Sequence, residues 1–284
     1  MSRITIEKRR LKDLSEFLRQ SSRYSRTKLM DIPDKGAHVK NMVSFKAENG
    51  PYAGGAYYSI VGGGSSHIRA IAHMFEIFSP LYTGKGLGVE AMYEFEKFLI
   101  EEHNAEVLEG PSNSRTDVID WLKRRGFRPR GNSIWKRLGL VETIDKAEFL
   151  GMLGQVPELF DERSAPYVNA PHAHTVKFTH RQEDVGIACY WLSPIGPTVP
   201  DMVADVQLLG IFPKHRKQGF GRSFLSSLER YVSDVHKPQP SWSRAQTETD
   251  STWYADLGYR PLGRFFVKQI GPATLTLPSG ASST

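Results

Sequence analysis

The sequence holds a single cysteine, Cys189, in 284 residues. That scarcity excludes an internal disulfide framework and any multi-cysteine zinc site. No run approaches the ~18 consecutive apolar residues that a membrane-crossing helix needs. The opening stretch, MSRITIEKRRLKDL, carries charge where a secretory leader would place its apolar core. A disordered composition is also missing, because hydrophobic residues make up 39% and charged residues an ordinary 24%. There is no Gly-Lys-Ser/Thr run at P-loop spacing, and no third glycine to complete a dinucleotide fingerprint. The expectation is a soluble cytoplasmic chain with no membrane partner, long enough for one large domain or two modest ones.

Charge is present but unevenly spread. Residues 1–140 hold 23 Lys and Arg against 16 Asp and Glu, while residues 141–284 hold 14 against 15. The excess lies in stretches such as Lys8-Arg9-Arg10 and Lys123-Arg124-Arg125, continuing to Arg128 and Arg130. Such a field suits polyanions: nucleic acid, an anionic surface or a phosphate-rich cofactor. A solvated helix face accounts for it equally well.

An internal repeat is the most informative feature. Thr83-Gly84-Lys85-Gly86-Leu87-Gly88 recurs as Arg216-Lys217-Gln218-Gly219-Phe220-Gly221, an offset of 133. Trp121 with Gly126-Phe127-Arg128-Pro129 recurs as Trp253 with Gly258-Tyr259-Arg260-Pro261, an offset of 132. Pro80 and Pro213 stand at matching places before the two loops. These landmarks imply two copies of one ~130-residue unit. The expected domains are 1–140 and 141–270, joined near residues 137–143, with a fraying tail over 271–284.

Each copy alternates strand and helix. In copy one, Ile4 and Ile6 suggest a strand, and Leu11, Leu14, Phe17 and Leu18 a helix. Strands are expected at 55–61 and 67–78, a helix around Met92, Phe95 and Leu99, then strand 107–108, helix 118–125 and strand 133–136. Copy two repeats the order with strands 175–179, 186–192 and 203–212 and a helix bearing Phe224, Leu225, Leu228 and Val232. Strand 245–247, helix 252–257 and strand 264–268 follow. The expected class is α/β, with a mixed, largely antiparallel sheet and flanking helices in each copy.

Both glycine loops follow a hydrophobic strand and open into an amphipathic helix. Without Cβ atoms such a backbone can curl until successive N–H groups converge at a positive helix end, which suits a pyrophosphate. In that context Arg216-Lys217-Gln218-Gly219-Phe220-Gly221 resembles the Gln/Arg-x-x-Gly-x-Gly/Ala signature of the GNAT-type acyl-CoA N-acyltransferases. Trp253-Tyr254-Ala255-Asp256-Leu257-Gly258-Tyr259 is similar to that family's aromatic-Tyr-x-x-Leu-Gly-Phe/Tyr segment. Copy one departs from it: Thr83 replaces the Gln/Arg, and Leu122 stands where copy two has Tyr254.

The resemblance implies two tandem GNAT-like domains and transfer of an acyl group, acetyl above all, from acyl-CoA to a primary amine. It implies that Arg216, Lys217, Gln218, Gly219, Phe220, Gly221 and Arg222 hold the cofactor phosphates. Thr83, Gly84, Lys85, Gly86, Leu87 and Gly88 would do the same in copy one. The family's fourth strand splays from its fifth, so backbone N–H groups of Leu209, Gly210 and Ile211 would meet the pantetheine arm and the thioester carbonyl. Tyr254 matches the usual general acid, and Asp205, Glu248 and Asp250 are candidate bases. Leucine donates no proton, so copy two is expected to be the active half and copy one a binding or scaffold domain.

Other residues read more plainly. Glu76, in an otherwise apolar strand, is expected to face solvent or, alternatively, a substrate cleft. His172, His174 and His180 lack supporting ligands at metal spacing, so no metal is expected. His215 beside the loop suits a phosphate better than a metal, and Cys189 reads as a small buried hydrophobe. Segments 24–46 and 155–174 are where acceptor-binding residues would fall, and neither carries a signature. Two other functions stay open: a nucleic-acid-directed acyltransferase or nucleic-acid-associated factor using the basic half, and a non-enzymatic CoA-binding module.

Overall fold

The computed structural model describes residues 4–9, 39–47, 52–62, 68–77, 87–111, 116–159, 164–196, 199–236, 240–246, 251–262 and 265–271. The chain divides into two compact units, Met1–Ser114 with Pro129–Leu138, and Arg115–Arg128 with Gly139–Thr284. Elements run in chain order through β1 (Ile4–Arg9), β2 (Val39–Ala47), β3 (Tyr52–Val61), β4 (Arg69–Ile77), α1 (Leu87–His103), β5 (Val107–Pro111), α2 (Thr116–Lys123), β6 (Arg128–Arg130) and β7 (Ser133–Arg137). They continue through β8 (Leu140–Thr143), α3 (Lys146–Leu153), α4 (Ser164–Asn169), β9 (Ala173–His180), β10 (Glu183–Gly196) and β11 (Val199–Ile211). The last are α5 (Phe220–Val235), β12 (Trp242–Gln246), α6 (Ser251–Asp256), β13 (Arg260–Leu262) and β14 (Phe265–Gln269).

Each unit carries a seven-stranded sheet, ordered β1-β2-β3-β4-β5-β7-β6 in one and β13-β14-β12-β11-β10-β9-β8 in the other. Strands β1 to β4 pair antiparallel, and β4 pairs parallel with β5. The second sheet matches this: β8 to β11 antiparallel, β11 parallel with β12. A parallel pair needs a crossover, and the long helices α1 and α5 supply it.

The repeat reaches the side chains. Tyr58 Oη bonds His103 Nε2 at 2.9 Å, and 132 to 133 residues on, Tyr190 Oη bonds His236 Nε2 at 2.8 Å. The buried ion pair Lys136–Glu96 at 2.7 Å recurs as Lys268–Glu229 at 2.5 Å. Gly126 and Gly258 close their helices with φ of 86° and 85°, a left-handed turn that glycine takes without a Cβ penalty. Behind them Phe127 N–H donates to Leu122 O and Tyr259 N–H to Tyr254 O.

Apolar periodicity explains where the cores form. In the first unit Phe45, Phe75, Phe95 and Tyr58 interlock between sheet and α1. In the second, Phe178 stacks on Phe224 at 5.0 Å within a cluster that includes Phe220, Leu225, Leu228 and Val232 from α5. A separate cluster gathers Phe149, Leu153 and Val156 against Ile187 and Leu208. Each such side chain, fully buried, contributes roughly 1.5–3 kcal/mol of transfer free energy. Helix α3 starts at Asp145, whose side chain accepts from Glu148 N–H at 2.7 Å.

Val39–Ala47, which overlaps the segment 24–46, forms β2 between β1 and β3. One expectation changes here. Glu76 is not exposed: it is 5% accessible, on a strand whose neighbours Met74 and Phe75 enter the core. The helix expected around Leu11–Leu18 lies outside the described residues.

Candidate functional site

The site is assembled where β11 ends and α5 begins. Strand β11 registers with β12 from Val203↔Trp242 to Val206↔Ala245. Beyond that point, among the described residues, Leu208 to Ile211 register with β10 alone. An irregularity sits at the junction: Cys189 pairs with Leu208 but Tyr190 with Val206, leaving Gln207 as an extra residue on β11. A bulge bends its strand and increases local twist; the residues that directly follow Gln246 of β12 lie outside the described ones. Copy one has the same irregularity, with His73 as the extra residue between Met74 and Ala72. An antiparallel strand sends alternate N–H groups to either side. Along Leu209, Gly210 and Ile211, one side therefore serves β10 and the other faces away from it.

The close approach of β10 is what Gly186 permits. A Cβ there would stand 2.4 Å from the carbonyl oxygen of Gly210. Gly210 is itself covered by Leu159 and Val156, at 2.5 and 2.6 Å from where its Cβ would lie.

After β11 the chain makes one tight turn, Pro213–His215, and then the glycine loop. Arg216 Nε donates to Ile211 O at 2.9 Å, and Gln218 Nε2 to Lys214 O at 2.9 Å, so two loop side chains fix the backbone behind them. Lys217 has φ of 60° and Gly219 φ of 89°. A left-handed lysine costs roughly 1–2 kcal/mol, and this sharply curled backbone is of the kind that turns its N–H groups inward. Gly219 caps α5, whose first-turn N–H groups have no partner within the helix. Gly221 faces the ring of Trp253, at 3.6 Å for a carbon placed on it. Positive charge surrounds the loop. Arg222 is tied to Asp256 at 2.7 Å, and Lys214 reaches Glu183 at 3.4 Å. Burial first, then the neighbouring Lys214, holds the His215 imidazole below its ordinary range.

Tyr254 lies on α6, its ring stacked on Phe266 at 5.3 Å and edge-on to Trp253 and Tyr259. Burial raises its phenol above the usual 10, so it stays protonated at neutral pH. Asp205 is engaged on both oxygens: Arg244 grips it in a two-pronged pair, one contact at 2.6 Å, and Ser193 donates at 2.9 Å. A carboxylate so held is poorly placed to take a proton. Glu248 and Asp250 lie outside the described residues, as do Thr83, Gly84, Lys85 and Gly86. Leu87 and Gly88 open α1 as Phe220 and Gly221 open α5.

The histidines expected to hold no metal are packed on aromatics. His172 meets Trp191 edge-on, His174 stacks on Tyr190, and His180 meets Phe220. Among the described residues no helix is long and apolar enough to cross a membrane. Cys189 is buried beside Tyr167 O, and burial pushes its thiol up to about 12.

No protein-family profile and no curated sequence matches the chain. Solved structures do resemble it. The ribosomal-protein-S18-alanine N-acetyltransferase from Escherichia coli is 15% identical, over 48% of this chain and 94% of its own, with a TM-score of 0.34. Aminoglycoside acetyltransferase AAC(6')-Ib, solved with coenzyme A, is 11% identical over 46% and 94%, with a TM-score of 0.36. A probable N-acyltransferase from Enterococcus faecalis V583 is 11% identical over 80% and 62%, with a TM-score of 0.33. Two matching mixed sheets, a bulged strand beside each parallel pair and a crossover helix in each show that the chain is built as a tandem repeat of one α/β unit.

Proposed function

We propose that the second unit transfers an acyl group from acyl-CoA to a primary amine. The observation that carries this is the pairing of a curled, cationic loop at Lys217–Gly221 with a strand that bulges at Gln207 just upstream. The loop suits the pyrophosphate, which gains from converging N–H groups and a positive helix end. The N–H groups along Leu209–Ile211 that face away from β10 suit the pantetheine amides and the thioester oxygen, where negative charge develops during attack.

In the reaction the neutral amine attacks the thioester carbonyl carbon, forming a C–N bond. The C–S bond then breaks, and the CoA sulfur leaves with its electron pair. Tyr254 carries a phenolic proton at neutral pH and is the residue suited to give it to that sulfur. The amine's own proton passes to water or a carboxylate. In copy one, Leu122 holds the equivalent place and supplies no acid.

Titration with acetyl-CoA tests the cradle, and turnover on a panel of primary amines tests the chemistry. Gly219→Glu should abolish binding, because it sets a carboxylate against the pyrophosphate. Tyr254→Phe should leave binding intact and lower kcat by roughly 10²–10⁴-fold, the usual worth of a general acid. Wild-type protein that binds no acyl-CoA refutes the proposal.

A further inference from the structure

The stretch from α2 to the start of β6 belongs by sequence to copy one, yet it lies in the second compact unit. Its seat there is the cradle helix. Gly126 approaches Arg222 so closely that a Cβ would stand 2.9 Å from the Arg222 carbonyl oxygen. Arg124 lies over Gly258, with its Cδ 2.7 Å from where a Cβ would be. Lys268 Nζ, already paired with Glu229 of α5, donates to Arg124 O at 3.0 Å. These contacts deliver the next charged residue to the loop. A carbon placed on Gly219 would stand 3.0 Å from Arg128 Cζ, 3.1 Å from Nε and 3.3 Å from one terminal nitrogen. The guanidinium therefore lies against the residue at the mouth of the phosphate cradle.

We infer that Arg128 is a phosphate-binding residue for the acyl-CoA used by the second unit. The inference rests on the function proposed above. A guanidinium presents several N–H donors in a rigid plane and binds phosphate oxygens in pairs, which the loop's own N–H groups reinforce. Gly219 makes this possible twice over: its φ of 89° shapes the loop, and its missing side chain leaves room for the guanidinium.

The test compares CoA with pantetheine, which lacks the pyrophosphate and nucleotide, on wild type, Arg128→Gln, Arg128→Lys and the exposed neighbour Arg130→Gln. Arg128→Gln should weaken CoA on the order of tenfold to a hundredfold, the span for lost charge-assisted bonds. Pantetheine affinity should not move. Arg128→Lys should recover part of the loss and Arg130→Gln should show none. Equal CoA affinity in wild type and Arg128→Gln overturns the inference alone. So does tighter binding, which would make Arg128 a plug, or a loss shared by pantetheine, which would make it scaffolding. Wild type that binds neither CoA nor acetyl-CoA overturns the proposed function and this inference with it.

Discussion

The two glycines of the second loop should respond oppositely to the same methyl group. Gly219 has φ of 89°, where an L-residue pays about 1–2 kcal/mol. Its new carbon would also press on the Arg128 guanidinium at 3.0 Å, a flexible end that must shift by a few tenths of an ångström. For a unit of this size ~1 kcal/mol moves the melting temperature by roughly 2–4 °C, so Gly219→Ala should lower it by roughly 2–8 °C. The loop N–H groups re-aim in the process, and acetyl-CoA affinity should fall about tenfold or more. Gly221 is the second residue of α5, with 3.6 Å of ordinary clearance from Trp253. Gly221→Ala removes unfolded-chain freedom without strain and should hold or raise stability by up to ~1 kcal/mol, with acetyl-CoA binding kept. Differential scanning calorimetry and isothermal titration on the same samples read both quantities. If the two variants behave alike, or Gly219→Ala binds as well as wild type, the loop does not act as a shaped phosphate cradle.

Two further outcomes follow from buried groups. Lys268→Met leaves Glu229 without its buried cationic partner and should cost about 3–5 kcal/mol, read as a lower denaturation midpoint. Adding Glu229→Leu should recover most of that loss. Burial holds His103, His174 and His236 below the ordinary histidine range. The folded chain keeps them neutral while the unfolded chain protonates near pH 6.5, so their stabilising effect is complete above that value and fades as pH falls below it. A melting series from pH 8 to 5 should show this decline, shallower in a His103→Gln, His236→Gln double variant. An unchanged slope would refute that assignment.

Much of the architecture could be read from the sequence because glycines at strained or crowded places resist replacement. Gly126 and Gly258, and the two loop signatures, marked the repeat without any knowledge of contacts. The buried pairs were equally visible in principle: Glu96 and Glu229, Lys136 and Lys268 obey the same offset, but neither looks unusual until its burial is known. Strand β2 went unread because its apolar residues, Met42, Val43 and Phe45, break strict alternation on a strand paired on both sides. The bulges at His73 and Gln207 depend on pairing partners far along the chain, so no local pattern announces them. Arg128 was legible as charge and illegible as position. Its placement depends on Gly126, Gly219 and Lys268, residues up to 140 positions away.

The interleaving of the compact units bears on how the protein is made. The chain leaves the first unit after Ser114, contributes 115–128 to the second, and returns for Pro129–Leu138 before leaving for good. Lys268, which fixes Arg124, emerges from the ribosome about 140 residues later, ~7–30 s at ordinary elongation rates. Until α5 has itself emerged, the excursion has no helix to rest on. A cut between the two copies would leave α2 on the fragment that lacks α5.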